Sequence, residues 1–330
     1  MKTRASFAAS LLLAAHAASA SEFLDALHRA DARGSDDPER IEFATRAVKS
    51  WKPSDGQALL AHAHFRRAEA ELSRLDDDAA EADLNKVLSL DPRNEKAKLL
   101  RARARLSLGR AAEAEKDFSD YAAARGEDGE GWLGIAESRI AQGPPRADKP
   151  AQQALRKAKP LLGDDPRVWL AEGRAHMACG RAQAALVAFD SAEQKAKDLK
   201  PDALAWRARA KALLGNPEGA RRDLTEALPG LEQRLEQRRR GGASARAEEN
   251  ARASLAEARL RRGKSEEVLG RGEDCLEDYR QACDLGSAEA CALLAAAPKK
   301  IAVEPRLAPP PKKPRKANPK SEPGERIYAN

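Results

Sequence analysis

The sequence is poor in the parts from which active sites are assembled. Its 330 residues hold four cysteines and no Cys-x-x-Cys pair, so a four-cysteine metal site is not expected. His28, His62, His64 and His176 include no two at the i, i+4 spacing that sets two ring nitrogens on one helix face. His62 and His64 point to different sides of one helix and read as surface residues. No glycine-rich phosphate loop and no Gly-x-Ser-x-Gly turn occurs. Carboxylates alternate with Arg and Lys, as they do along solvated helix faces. These absences point to a protein that is not an enzyme and needs no metal or cofactor. No apolar stretch beyond the N-terminal segment approaches membrane-spanning length, so the mature chain is expected to lack a transmembrane helix.

The two ends differ from the body. Met1–Ala20 carries Lys2 and Arg4, an apolar run through Leu11, Leu12 and Leu13, and then Ala18-Ser19-Ala20. That order is the form of a secretory signal cleaved after Ala20, and it implies a periplasmic or secreted protein beginning at Ser21. Residues 298–330 hold Pro309-Pro310-Pro311 and Lys312-Lys313-Pro314-Arg315-Lys316 with little apolar surface to bury, which predicts a disordered, Pro/Lys-rich tail. Nine Lys or Arg against three Glu put +6 of the formal +7 in that tail; the first twenty residues add +2, and residues 21–297 keep −1. The basic character therefore belongs to the tail. A near-neutral body argues against nucleic acid as a partner, and the tail suits contact with an anionic envelope surface.

Between the ends, one phrase recurs five times. Small residues stand at Ala68, Ala102, Ala136, Gly173 and Ala208, each followed seven residues later by Leu75, Gly109, Gly143, Gly180 or Gly215, a period near 34. A second helix repeats with them. Ala80, Ala114, Ala151, Ala185 and Ala220 are followed four residues on by Leu84, Phe118, Leu155, Phe189 and Leu224. Two helices approach closely only where the crossing side chains are small, with a larger apolar residue filling the space beside each crossing. Glycine at the turn suits a helix end that needs φ > 0. Pro92, Pro166 and Pro201 fall between units, where they stop one helix without breaking another. The third unit departs by a longer turn around Pro144 and Pro145.

This pattern resembles the tetratricopeptide repeat, with Trp132 and Trp169 at the place of that family's early tryptophan. The expected fold is all-α, an α-solenoid of stacked antiparallel helix pairs, with about five repeats over residues 61–228. Residues 21–60 read as a degenerate helix pair, 22–33 and 38–51, that caps the stack. Residues 229–297 read as a helical extension: a longer helix through Leu231 and Leu235, a break at Gly241-Gly242, and a helix from Ser244 to Arg262 closed by Gly263. The stretch from Cys275 to Cys291 resembles one unit of the Sel-like repeats, in which two cysteines eight apart cross-link consecutive helices. That resemblance implies a disulfide between Cys283 and Cys291, which an oxidising compartment would permit. Cys179 and Cys275 are expected to be free and buried.

The resemblance also implies a function. In the tetratricopeptide family the first helices of the pairs line a concave groove that binds a protein or peptide. One row of that face holds Glu69, Arg103, Glu137, Arg174 and Arg209, and a second holds His62, Lys96, Glu130, Arg167 and Asp202. Lys96, Arg103, Arg167, Arg174 and Arg209 are therefore the expected partner-binding residues, suited to the carboxylates of an acidic, extended segment. The family's carboxylate clamp needs Lys and Asn where this chain has Phe65, Glu69, Leu99 and Arg103, so a chaperone's acidic C-terminus is not the expected ligand. The expected protein is an exported interaction scaffold in an envelope or secretion assembly. The alternative is a factor held to anionic wall polymer or lipid by its tail.

Overall fold

The computed structural model describes residues 22–195 and 198–297. The proposed signal segment and the basic tail lie outside the described residues. The elements are helical throughout: α1 (22–31), α2 (Pro38–Ser50), α3 (Gln57–Ser73), α4 (Asp77–Leu90), α5 (Glu95–Ser107), α6 (Ala111–Ala124), α7 (Gly129–Ala141), α8 (Lys149–Leu162), α9 (Pro166–Ala178), α10 (Ala182–Lys195), α11 (Lys200–Leu213), α12 (Pro217–Arg240), α13 (Ala245–Val268), α14 (Gly272–Asp284) and α15 (Ala288–Ala296). No strand occurs among the described residues. Each helix packs mainly on its sequence neighbours, which makes the structure an all-α solenoid of helix pairs. The described residues up to Ala296 form one compact unit.

The pairs form where the sequence puts small residues. Ala68, Ala102, Ala136 and Ala208 are fully or almost fully buried, and so are the partners Leu84, Phe118 and Leu224. At Gly173 the approach is closest: a Cβ there would stand 2.3 Å from the ring of Phe189, itself fully buried. Burying one such ring contributes roughly 1.5–3 kcal/mol, which depends on the bare glycine facing it. Turns follow with positive φ at Gly109, Gly143, Gly180 and Gly215. Leu75 takes the same left-handed backbone at φ 58, a conformation that costs a non-glycine residue about 1–2 kcal/mol.

The C-terminal region departs from expectation in two places. A boundary at 228 falls inside α12, which runs unbroken through Pro229 to Arg240. Gly263 does not close a helix; it lies within α13, where the ring of Tyr279 would be 2.7 Å from a Cβ. Gly263 is thus the crossing residue of a sixth pair. Gly270 follows seven residues later with φ 72, and Cys275, Tyr279 and Ala282 are buried at the places of Ala220, Leu224 and Ala227. Cys283 and Cys291 join α14 to α15 by a disulfide, with Cα atoms 4.8 Å apart. Cys275 is free and buried, while Cys179, at the end of α9, is free but only half-buried.

Ion pairs join the helices of several pairs in a fixed register. Arg67 grips Asp83 through Nε and Nη2 at 2.5 and 2.6 Å, and Arg101 grips Asp117 at 2.8 Å through both. Arg207–Asp223 and Arg262–Asp278 repeat the arrangement. Where the third pair would place these residues, Ile135 and Ala154 are both buried and apolar, so the charge is absent on both sides at once. His64 is a correction to the surface reading: it is buried, with Nδ1 2.9 Å from the Asp83 carboxylate that Arg67 also holds. Phe23, Ala26 and Leu27 of α1 and Ala47 of α2 pack around Ala63 of α3.

Two predictions follow from this packing. Gly173→Ala should lower stability by about 2 kcal/mol through overpacking against Phe189, visible as a lower thermal midpoint; an unchanged midpoint contradicts the close crossing. Glu71 has a buried Oε2 without a hydrogen-bond partner. Burial, reinforced by the charge of Asp83, pushes its carboxyl up to about 7 from the ordinary 4.5, with Arg67 only partly offsetting this. The folded chain therefore holds a proton that the unfolded chain releases earlier, and this stabilisation is lost as pH rises through about 7. Relative to the native chain, Glu71→Gln should gain about 2 kcal/mol between about pH 5 and pH 8 in denaturant unfolding. A difference independent of pH refutes the assignment.

Candidate functional site

The two rows of the first-helix face are spaced seven residues apart on each helix, two turns, so both lie on one side of it. The pairing brings the rows together across each junction between repeats. Glu69 of α3 accepts from Lys96 of α5 at 2.8 Å. Arg103 of α5 donates to Glu130 of α7 at 2.6 Å. Glu137 of α7 feels the charge of Arg167 and Arg174 of α9 without a hydrogen bond to either. Opposite signs therefore meet at successive junctions, and much of the charge on this face is satisfied internally.

Electrostatics follow the pairing. Burial alone would raise the Glu130 carboxyl, but the hydrogen bond from Arg167 and the charges of Arg167 and Arg103 hold it below the usual range. Glu69 is likewise held down against its burial by Lys96 and Arg66, and it also accepts from Arg40 of α2 at 2.8 Å. At Glu137 burial wins, and the carboxyl is raised in spite of Arg174 and Arg167. Arg167 is bound twice over, to Glu130 and to Asp165.

The zipper stops at the last two junctions. By register Arg174 of α9 would meet Asp202 of α11, but Arg234 of α12 holds both Asp202 oxygens, at 2.8 and 2.6 Å. Arg209 of α11 would meet Glu257 of α13, but Arg261 pairs with Glu257 on the same helix. Among the described residues Arg174 and Arg209 make no ion pair, and the buried Nε of Arg174 has no hydrogen-bond partner. Their guanidinium carbons lie 5.6 and 5.2 Å from the centre of the Trp206 ring. Burial, with the charge of Arg261, holds Arg209 below the usual arginine range. A cleft of about 170 Å³ opens beside Arg209 between α11, α12 and α13, lined by Trp206, Arg209, Leu231 and Arg261 together with the carboxylates of Asp202 and Glu257. A second, of about 450 Å³, is lined by Arg103, Glu130, Glu137, Arg167 and Arg174.

The five expected cations are thus not equivalent. Lys96, Arg103 and Arg167 share carboxylates, whereas Arg174 and Arg209 present unpaired guanidiniums around an indole ring. Guanidiniums so placed can take a carboxylate by charge-assisted hydrogen bonds while apolar groups of the same ligand rest on the ring. Sequence reasoning missed Trp206, which does not stand at the place of Trp132 and Trp169, and missed Arg234. The opposite signs of successive row residues, Glu69 with Lys96 and Arg103 with Glu130, were the available signal. Among the described residues no group of three or more His, Cys, Asp and Glu could hold a metal ion.

Solved structures with a similar fold include a tetratricopeptide repeat protein from Parabacteroides merdae, with TM-score 0.61 and 15% identity over 84% of this chain and 98% of that one. The chain has the tetratricopeptide-repeat fold. The type IV pilus biogenesis factor PilW matches this chain with TM-score 0.55 and 19% identity over 71% of it and 98% of PilW. The pilF protein of Pseudomonas aeruginosa matches with TM-score 0.50 and 17% identity over 73% of this chain and 100% of that one. No family model matches this chain, and neither does any curated protein.

If pairing across junctions is what occupies Arg103 and Arg167, removing the shared acid frees Arg103 and leaves Arg167 held by Asp165 alone. Glu130→Gln should raise affinity for a fluorescent oligoglutamate peptide about tenfold at low salt, read by anisotropy. Unchanged affinity would show that these arginines are not held by Glu130.

Proposed function

We propose that this chain is an exported, non-enzymatic interaction module that receives an acidic, extended segment of a protein partner on its first-helix face. The observation that carries the reading is the pair Arg174 and Arg209, which flank Trp206 and make no ion pair among the described residues, on a face whose other cations, Lys96, Arg103 and Arg167, are paired. Stacked helix pairs expose such a face along their whole length, which suits recognition of a segment better than enclosure of a small molecule. The secretory form of residues 1–20 supports export. The likeness in fold to PilW, called a type IV pilus biogenesis factor, is in keeping with a role in an envelope assembly.

The test is a binding titration on the full chain with an oligoglutamate peptide. Arg174→Ala with Arg209→Ala should weaken binding at least tenfold at low salt, corresponding to about 1.4 kcal/mol or more, while Lys96→Ala changes it little. A loss confined to Lys96→Ala, or binding that collapses with moderate salt regardless of either substitution, would move recognition away from this cleft and toward the basic tail.

A further inference from the structure

Arg234 belongs to no row of the first-helix face, yet it decides the state of one. It stands on α12, four turns into the helix, and both its Nη atoms bond the Asp202 carboxylate. Asp202 is the residue that register assigns to Arg174, as Lys96 is assigned to Glu69 and Glu130 to Arg103, and both of those pairs form. We infer that Arg234 is a positioning residue that withholds Asp202 from Arg174 and so keeps the Arg174 guanidinium open to a ligand. This rests on the reading that Arg174 and Arg209 take a carboxylate.

The hairpin that carries Arg234 is fixed at its far end. Beyond Arg240 the chain turns through Gly241 and Gly242 into α13, and this tip docks on the turns of the first two repeats. Ser244 donates from its backbone to the Arg74 carbonyl at 3.3 Å and from Oγ to the Leu75 carbonyl at 2.5 Å. Arg74 donates back to the Gly242 carbonyl at 3.1 Å, and Arg246 donates to the Leu108 carbonyl at 3.0 Å. These bonds join positions up to 169 residues apart. They sit on Leu75, the one repeat turn whose left-handed residue is not glycine. Docking of the tip adds to the packing of α12 on α11 and α13 that holds the register from which Arg234 reaches Asp202, so that releasing the tip should loosen the hold on Asp202.

The experiment reads Arg174 directly, by the NMR signal and solvent exchange of its Nε–H, beside oligoglutamate affinity. Arg234→Ala should shift that signal and slow its exchange as Asp202 takes Arg174, and should weaken peptide binding about tenfold. Adding Asp202→Asn should return both toward the native chain. Ser244→Ala with Arg246→Ala should move the Arg174 signal the same way, with faster amide exchange over residues 241–246. An Arg174 signal unmoved by Arg234→Ala overturns the inference, as does a loss of binding that Asp202→Asn does not restore. An unmoved signal in the tip variant overturns the part played by docking. If Arg174 responds as expected but the native chain does not bind the peptide, the positioning stands and the carboxylate reading of the cleft fails.

Discussion

Everything in this chain depends on how closely two helices can cross. A small residue in the first helix and a large apolar one sixteen positions later, as in Gly173 and Phe189 or Gly263 and Tyr279, fix the separation and angle of each pair. Once that crossing repeats, the rest of the first helix has no freedom of orientation. Residues one place after and six places before the crossing must lie on the same exposed side, whatever their chemistry. The function-bearing face is thus a by-product of packing: alanine and glycine at the crossing aim arginine and glutamate at the neighbouring repeat.

What that face can do is settled by charge balance between repeats. Isolated, exposed ion pairs contribute little to stability. Their effect here is selective: by holding Lys96, Arg103 and Arg167 against carboxylates of adjacent repeats, they leave attraction for an anion concentrated where the alternation breaks. The break has a structural cause, since α12 continues past the length of an ordinary repeat helix and brings Arg234 to Asp202, while Arg261 takes Glu257 within α13. A solenoid with uniform repeats would have no such exception.

Much of this was legible in the residues, and the misses have physical reasons. The period near 34 and the recurring small residue named the fold because nothing but stacked helix pairs gives alanine such a spacing. Gly263 was misread because a glycine after Arg261-Arg262 looks like a helix stop; the glycine seven residues later, Gly270, marks the true turn. His64 looked like a surface residue because its partner Asp83 meets it only when α4 folds back on α3. The five cations looked alike because sign alone does not tell whether a neighbouring repeat supplies a counter-charge. Docking of residues 242–246 on Arg74, Leu75 and Leu108 was beyond reach, since it depends on accumulated geometry over five repeats.

The central claim is that Arg174, Trp206 and Arg209 form the recognition element while the other groove cations serve the repeats themselves. A crystal structure of the full chain with bound oligoglutamate tests it most directly. The account predicts carboxylates on the Arg174 and Arg209 guanidiniums, a peptide backbone passing over Trp206, and the Arg103–Glu130 and Arg167–Glu130 pairs intact. A peptide seated on Arg103 and Arg167 with Glu130 displaced, or bound away from this face altogether, would contradict it.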